Sequence, residues 1–344
     1  MDRVYYDKKA VVNFELPNLT QSQIDSYNWL FEEGLKELLD EINPIEDFTG
    51  ENYVLEFLDY ELDEAKVGEQ RAKSKNLTYK APLKIKVKLT DKKTGKTKES
   101  EVYLGDFPLM TEGGTFIING IERVIVNQIV RSYGVLFTAD DFNYRKYFGA
   151  KIIPTRGSWL EFETSNKNII SVKIDRKRKI PVTTFLKAIG GFDDAEIKGM
   201  FSKVDNDPEN QYISTTLSKD PAKNNSEALV EVYKRIRPGD LVNPETAKSF
   251  IEAMFFDSKR YNLGKVGRYK INRRLNLDVK NTFQNRILLI DDIVETVKEI
   301  IRLNNDPNGK TDDVDHLKNR RIRSVGELVQ SRLRIGMLRI ERIF

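Results

Sequence analysis

Three aspartates near the end of the chain are the residues best suited to metal chemistry. Asp312, Asp313 and Asp315 lie close enough in sequence to hold a magnesium ion through carboxylate oxygens, the ligands that this cation prefers. Ion pairs with neighbouring arginines are an equally good use for such a run, and the sequence leaves both interpretations open. A second acidic pair, Asp205 and Asp207, lacks the glycine and the distal glutamate of a calcium loop, which favours an ordinary loop.

Residues for nucleophilic and phosphate chemistry are scarce. The chain contains no cysteine and one histidine, His316, so disulfides, thiolate catalysis and multi-histidine metal sites are excluded. A serine–histidine–aspartate triad would need His316, and no nucleophile-elbow sequence lies beside it. The segment Gly95-Lys96-Thr97 resembles the end of a P-loop, but position 90 is Thr90 rather than glycine. We therefore expect no catalytic centre, and we assign no residue as a metal ligand.

Three basic clusters are the remaining chemical signal. They occupy residues 173–179, 259–274 and 318–342, and the second contains seven lysines and arginines and no acidic residue. Trp159 lies near the first cluster in sequence, and aromatic residues beside basic ones are typical of surfaces that bind single-stranded nucleic acid. Solvated faces also carry such runs, so composition alone leaves nucleic-acid contact as one of two interpretations.

Length and charge set the class of protein. The chain has 344 residues, which suggests about two domains, and its net charge is +4. Residues 1–66 carry 17 acidic and 5 basic residues, whereas the remainder carries 36 acidic and 52 basic residues, so a basic surface could meet phosphate. No apolar run is long enough to span a membrane, and the first residues have no signal-peptide pattern. We expect a cytoplasmic location.

Hydropathy patterns predict a mixed α+β fold. Spacing of apolar residues indicates a helix over 20–42 with Thr20 as its N-cap, and alternation indicates strands over 52–62, 83–89 and 101–104. Asn119-Gly120 between two β-rich runs predicts a hairpin. Beyond residue 135 we expect strands over 151–154, 158–163 and 169–174, helices over 182–189, 193–203, 226–237, 244–256 and 290–303, and a loop over 204–225.

The last predicted helix begins with a capping box formed by Ser324 and Glu327 and continues to Phe344. It ends there without a glycine or a polar tail. The sequence is therefore expected to be a piece of a longer protein.

Five stretches resemble the bacterial RNA polymerase β-subunit family, at its N-terminal part. They occur in the order found in the family and extend the similarity over residues 15–344. The stretches are GDFPLMTEGGTFIINGIERVIVNQ (105–128), IIPTRGSWLEFE (152–163), IDRKRK (174–179), VGRYKINRR (266–274) and DHLKNRRIRSVGEL (315–328).

This resemblance implies an α+β fragment of two domains, one inserted in the other. The protrusion, or β1 domain, would comprise residues 1–135 and 308–344, and the lobe, or β2 domain, would comprise residues 136–307. The complete enzyme is a nucleotidyltransferase, the DNA-directed RNA polymerase, which performs transcription. The fragment would have no catalytic centre or cofactor of its own, because another subunit binds the magnesium ion of the complete polymerase.

The resemblance also implies which residues contact DNA. The fragment would form one wall of the DNA cleft and would hold downstream duplex and the non-template strand. Trp159 would stack on an unpaired base, Asp315 would accept hydrogen bonds from guanine, and arginines would bind phosphate or orient that carboxylate. The implied DNA-binding residues are Arg131, Trp159, Asp175, Arg176, Lys177, Val314, Asp315 and Arg320.

Two further sites follow from the resemblance. Arg123, Val126 and Gln128 would border the pocket for rifamycin-type inhibitors. The exposed edge at Thr97, Lys98 and Glu99 would dock transcription-repair coupling factor or CarD-type regulators by accepting a strand from the partner. Other partners would be DNA and the polymerase subunits β′, α, ω and sigma factor. The rival hypothesis is a stand-alone protein-interaction module without intrinsic affinity for DNA.

Overall fold

The computed structural model describes residues 17–142, 145–208 and 210–344 and divides the chain into two compact units. The first unit comprises Met1–Ile129 and Ile322–Phe344, and the second unit comprises Val130–Arg321. Helices and antiparallel sheets occur in both, which confirms the α+β class. The helices are α1 Gln21–Trp29, α2 Leu35–Ile42, α3 Glu69–Ser74, α4 Val182–Gly190, α5 Asp194–Phe201, α6 Tyr212–Leu217, α7 Asn225–Ile236, α8 Pro244–Phe255, α9 Gly264–Leu275, α10 Ile290–Asn305 and α11 Val325–Ile343.

Thirteen strands are found in the described residues, and they form four sheets. The chain leaves the first unit within β7 and returns to it within β13, and these two strands form a two-stranded sheet. The strands are β1 Ile45–Glu46, β2 Tyr53–Leu62, β3 Lys80–Asp91, β4 Thr97–Pro108, β5 Phe116–Ile118, β6 Ile121–Arg123, β7 Gln128–Arg131, β8 Gly134–Phe142, β9 Arg145–Ile153, β10 Leu160–Thr164, β11 Ile170–Ile174, β12 Ile180–Pro181 and β13 Arg320–Arg323.

In the first unit, helices cover one face of a four-stranded sheet with the order β1-β2-β3-β4. Alternation along β3 buries Leu83 and Ile85, which pack with apolar residues of α1, α2 and α11. The predicted helix over 20–42 is present, but a π-helical turn, Leu30–Gly34, separates α1 from α2. The apolar face of the predicted helix is therefore buried along both α1 and α2.

The N-cap positions predicted for the first unit, Thr20 and Ser324, are confirmed, but neither side chain makes the expected capping hydrogen bond. Thr20 makes no side-chain cap, because its N–H and hydroxyl both donate to Asn18 Oδ1, at 3.0 and 2.8 Å. Ser324 makes no cap either: Ser26 Oγ, 2.6 Å from Ser324 Oγ, accepts from the N–H of Gly326 at 2.9 Å. Thr20 is thus held by a residue two positions away, whereas at the start of α11 a residue distant in sequence, Ser26, replaces the local cap.

The predicted Asn119-Gly120 hairpin is confirmed. Both residues have positive φ, +51° and +79°, as a two-residue turn between twisted strands requires. A Cβ on Gly120 would lie 2.7 Å from the Cα of Asn76, so the close approach of another segment also demands glycine.

In the second unit, a five-stranded antiparallel sheet has the order β12-β11-β10-β9-β8. One face is apolar, with Phe148, Ile152, Phe162 and Val172 buried under helices α4–α10 in a single core. The other face is polar. Strand β8 and helices α6 and α9 were absent from the sequence prediction, which placed residues 204–225 in a loop.

The boundaries of the units differ from those expected at 135 and 308. Residues 308–321 belong to the second unit because Asp312 pairs with β8: its N–H donates to Phe137 O and its carboxylate accepts from Phe137 N–H, both at 2.9 Å. Arg274 also lies 3.5 Å from this carboxylate. Asp312 is thus paired with protein groups, and no group of three potential metal ligands occurs in the described residues.

A membrane-spanning helix was not expected from the sequence. None of the helices in the described parts of the chain has the length and hydropathy needed to cross a bilayer.

Candidate nucleic-acid interface

Charged side chains of alternating sign cross the polar face of the five-stranded sheet. The register of β9, β10 and β11 places Glu161 between Lys151 and Lys173. Lys151 Nζ lies 3.1 Å from Glu161 Oε2, and Lys173 turns instead to Glu163, with which it forms a short ion pair. This face combines hydrogen-bond donors and acceptors rather than one sign of charge.

A cavity of about 290 Å³ opens on this polar face. Arg131 at the end of β7 and Val314 in the loop before β13 line it, although 183 positions separate them in sequence. The wall of this cavity contains both cations and carboxylates, so it offers hydrogen-bond donors and acceptors. The remaining lining residues are Leu136, Thr138, Asp140, Tyr147, Gly149, Lys151, Glu161, Phe162, Glu163 and Thr164.

The backbone of Trp159 is fixed by Asp175. Trp159 N–H donates to Asp175 Oδ1 at 2.8 Å, and Asp175 N–H donates to Trp159 O at 3.0 Å. The indole ring is partly exposed, so it is not a core residue of the described fold. The carboxylate of Asp175, which the resemblance assigned to DNA, is therefore already used to hold the tryptophan.

Arg176 and Lys177 follow in the same turn and have different surroundings. The Arg176 guanidinium lies 5.6 Å from the centre of the Trp159 ring and 3.7 Å from Glu161 Oε1, and most of the side chain is exposed. Lys177 Nζ instead donates to Ile236 O at 2.7 Å, at the last turn of α7. Arg176 is exposed at the surface in spite of these contacts, whereas Lys177 stabilises a helix C-terminus.

Glu163 remains ionised on this face. Burial raises the pKa of its carboxyl, but hydrogen bonds from Lys173 and Lys179 outweigh that effect and hold the pKa below its usual value. Lys179 Nζ lies 2.8 Å from Glu163 Oε2. The basic run 173–179 is thus partly neutralised within the protein.

The loop before β13 is shaped by Asp313. Its carboxylate accepts from the N–H groups of Asp315 and His316 at 3.0 and 3.2 Å, and its carbonyl accepts from Asn319 Nδ2 at 2.6 Å. Asp315 and Arg320 are both exposed. Asp313 orders the loop, which leaves the carboxylate of Asp315 at the surface.

Two members of the basic cluster 259–274 have structural roles. Arg268 is fully buried and lies 2.6 Å from Asp292 Oδ1, and it also donates to Asn285 O and Ile287 O. Arg274 lies 4.4 Å above the Phe137 ring. Arg268 therefore cannot bind a nucleic acid, whereas four other bases of this cluster are exposed, namely Lys259, Arg260, Lys265 and Arg273.

Sequence reasoning missed Lys151 and Glu161 as members of the site. Trp159, directly before β10, alternates with Glu161 and Glu163 within it, and alternate residues of an extended chain share a face. This alternation was the available signal, because it places Glu161 on the same side as the tryptophan.

The other two predicted sites lie in the first unit. Strand β4 pairs with β3 alone among the described strands, so Thr97, Lys98 and Glu99 begin an edge strand. All residues from 97 to 104 are exposed. The residues implied at an inhibitor pocket, Arg123, Val126 and Gln128, are exposed as well.

Comparison with known proteins identifies the family. A model described as RNA polymerase Rpb2, domain 2, matches residues 131–323, more than half of the chain, and a model described as RNA polymerase beta subunit matches residues 18–113. The first match nearly coincides with the second unit, Val130–Arg321.

Curated relatives agree with this result. DNA-directed RNA polymerase subunit beta of Dehalococcoides mccartyi is 49% identical over 343 residues, which cover 98% of this chain and 27% of the relative. The corresponding proteins of Chloroflexus aggregans and Syntrophomonas wolfei are 46% and 48% identical, over 96% of this chain and 29% of each relative. The chain thus spans less than a third of the length of these relatives. It belongs to the bacterial RNA polymerase β-subunit family and corresponds to the N-terminal region of that subunit.

Proposed function

We propose that this chain forms part of one wall of the DNA cleft in a DNA-directed RNA polymerase, and that its second unit binds unpaired DNA. In this proposal the first unit is the protrusion and the second unit is the lobe. The complete enzyme, assembled with β′, α, ω and sigma factor, transfers nucleotides with a magnesium ion held by another subunit. The chain itself acts by holding DNA.

One observation carries the proposal. Arg131 and Val314, which the family resemblance assigned to DNA, line the same cavity although they are far apart in sequence. Arg176 connects this cavity to Trp159, because it lies near both Glu161 and the indole ring. A polar cavity beside a partly exposed aromatic ring suits a base that has left the duplex, with its edge in the cavity or its face on the ring.

The direct test compares single-stranded and duplex DNA. In the assembled polymerase, Trp159→Ala is expected to weaken binding of an unpaired non-template strand by about 1–3 kcal/mol and to leave duplex binding unchanged. Equal losses on both substrates, or a lower melting temperature, would instead make Trp159 a packing residue.

The rival function, a protein-interaction module without affinity for DNA, predicts a different salt dependence. Contact with phosphates releases counterions, so affinity for DNA must fall steeply as salt rises. Absence of binding of single strands by the 344-residue chain, even at low salt, would favour the rival.

The edge strand β4 supports a second function, docking of a regulator such as transcription-repair coupling factor or a CarD-type protein. The exposed edge offers backbone donors and acceptors to a partner strand, and the charges of Lys98 and Glu99 would select the partner.

The double reversal Lys98→Glu with Glu99→Lys keeps the net charge. We expect it to weaken binding of the coupling factor's polymerase-binding domain and to leave DNA affinity unchanged at the same salt. Unchanged regulator binding by this variant, and also by Ser100→Pro, would exclude the edge as the docking site.

A third function attributed to the family, binding of rifamycin-type inhibitors beside Arg123, Val126 and Gln128, remains a proposal. The test is inhibition of the assembled polymerase carrying Gln128→Ala, for which we expect weaker inhibition at unchanged RNA synthesis.

A further inference from the structure

We infer that Glu161 is a positioning residue: it holds Arg176 against one face of the Trp159 ring, so that the opposite face is the one presented to an unpaired base. The inference rests on the proposed DNA-binding function and concerns a residue outside the set that the family resemblance supplied.

Glu161 is largely buried although it carries a charge. Only 10% of its side chain is exposed, and a carboxylate so removed from water is tolerated where cations face it. Lys151 supplies one cation at 3.1 Å from Oε2, and Arg176 supplies another at 3.7 Å from Oε1. The two carboxylate oxygens therefore face different partners, one inside the sheet and one in the turn after β11.

Arg176 needs a fixed contact to stay at one position. Its side chain is 74% exposed, and an exposed arginine without a fixed contact samples many rotamers. Its backbone is held in the left-handed region, with φ of +59°, directly after Asp175 at +47°. The turn thus aims the side chain back towards β10, where Glu161 is the carboxylate that meets it.

The Trp159 ring has the Arg176 guanidinium over one of its faces. Asp175 fixes the backbone of this residue, but not the environment of the indole ring. The guanidinium of Arg176 lies 5.6 Å from the ring centre, a distance typical of a cation over an aromatic face. An arginine held there covers one face, and a base can then stack on the other without displacing a charged group.

The experiment uses the 344-residue chain with Trp29→Phe, which makes Trp159 the sole tryptophan. Two quantities are measured: quenching of Trp159 fluorescence by acrylamide without DNA, and affinity for a mixed-sequence single strand of about 12 nucleotides. Glu161→Gln keeps the size of the side chain but removes its charge. We expect acrylamide quenching to rise about twofold and single-strand affinity to fall about threefold to tenfold, with duplex affinity unchanged.

Glu299→Gln is the matched control. Glu299 is also a mostly buried carboxylate with two cationic partners, Arg274 and Arg302, but it lies on α10 among the helices that cover the other face of the sheet. We expect this variant to leave both readouts at the level of the parent chain. A similar change in both variants would show that loss of any buried carboxylate loosens the unit, and would overturn the inference.

Arg176→Ala tests the same contact from the exposed side, where a substitution is not expected to affect folding. Both single variants and the double variant should increase quenching to the same extent, because each removes one and the same contact. Additive effects would contradict the inference.

The remaining outcomes separate the inference from the function on which it rests. If Trp159→Ala weakens single-strand binding but Glu161→Gln does not, the inference is wrong and the DNA-binding function stands. If Trp159→Ala binds single strands like the parent chain, the proposed DNA-binding function itself is wrong.

Discussion

Trp159 and Asp175 are joined by two reciprocal hydrogen bonds, from Trp159 N–H to Asp175 Oδ1 at 2.8 Å and from Asp175 N–H to Trp159 O at 3.0 Å. The pair joins the start of β10 to the end of β11, at the open end of this hairpin. Asp175 has a φ of +47°, which aspartate and asparagine tolerate better than most residues. Its carboxylate thus has a structural use that precedes any contact with DNA.

This relationship predicts different outcomes for two substitutions of Asp175. Asp175→Asn keeps an oxygen acceptor for Trp159 N–H and tolerates positive φ, so we expect near-parental stability and single-strand affinity. Asp175→Ala removes the acceptor and is strained at positive φ, so the free energy of unfolding should fall by about 1–2 kcal/mol. Urea unfolding checks both values. A large loss of DNA affinity in Asp175→Asn, at unchanged stability, would show that the charge itself contacts DNA.

Arg176 and Lys177 are expected to differ in the salt dependence of DNA binding. Each phosphate contact to a single strand contributes about 0.7 to the slope of log affinity against log salt. Arg176→Ala should lower the slope by about that amount, whereas Lys177→Ala should change it little, because Lys177 Nζ already donates to Ile236 O. Titrations of one oligonucleotide at four salt concentrations measure both slopes. Equal decreases would contradict the conclusion that Lys177 is occupied by the C-terminus of α7 and does not contact DNA.

The buried pair of Arg268 and Asp292 is expected to be a main determinant of stability in the second unit. Both side chains are fully buried, 2.6 Å apart. Asp292→Ala leaves an uncompensated charge in the core, which should lower the free energy of unfolding by about 3–5 kcal/mol. The double variant Arg268→Met with Asp292→Leu removes both charges and should lose less. Unfolding followed by Trp159 fluorescence, in the Trp29→Phe background, distinguishes the two. A larger loss in the double variant would contradict this explanation.

Glu299 predicts how the stability of the second unit responds to acid. Burial raises the pKa of this carboxyl, but hydrogen bonds from Arg302 and Arg274 outweigh it and hold the pKa below the ordinary value of 4.5. In the unfolded chain the carboxyl takes up its proton at higher pH than in the folded chain, so the stabilisation is fully present above 4.5 and is lost as pH falls through the lower, folded value.

The measurement is the melting temperature at a series of pH values from 7 down to 3. Parental protein should lose stability progressively below pH 4.5, and Glu299→Gln should be less stable at pH 7 but show a flatter acid limb. Parallel curves for the two proteins would rule out a contribution from Glu299.

Elements with strong local signals could be predicted from the sequence. Lys84, Lys86 and Lys88 alternate with apolar residues, which predicted the central part of β3, and Asn119-Gly120 predicted the hairpin of β5 and β6. The amphipathic pattern over 290–303 predicted α10, found at Ile290–Asn305. In these segments the residues that decide the conformation are neighbours in the chain, so a local pattern suffices. Family membership, predicted from five short stretches, is confirmed by the comparisons.

Elements that depend on distant partners could not be predicted. Helix α9 contains two glycines and several basic residues, and its stability depends on burial of Arg268 against Asp292. Helix α6 lies in a segment predicted to be a loop. Its capping carboxylate is Asp205, seven and eight positions before Tyr212 and Ile213, whose N–H groups donate to it. Neither contact can be predicted from the residues next to it in the sequence.

The sequence by itself determined which family the chain belongs to and which strands and helices its periodicity demands. Only the tertiary structure decided which charged residues are available for binding. Lys177 and Arg268 carry the same positive charge as Arg131 and Arg176, but their donors are satisfied inside the protein, as is the acceptor of Asp175. Charge is a property of one residue, whereas availability depends on whether another part of the chain has already satisfied that charge, and that partner is fixed by folding.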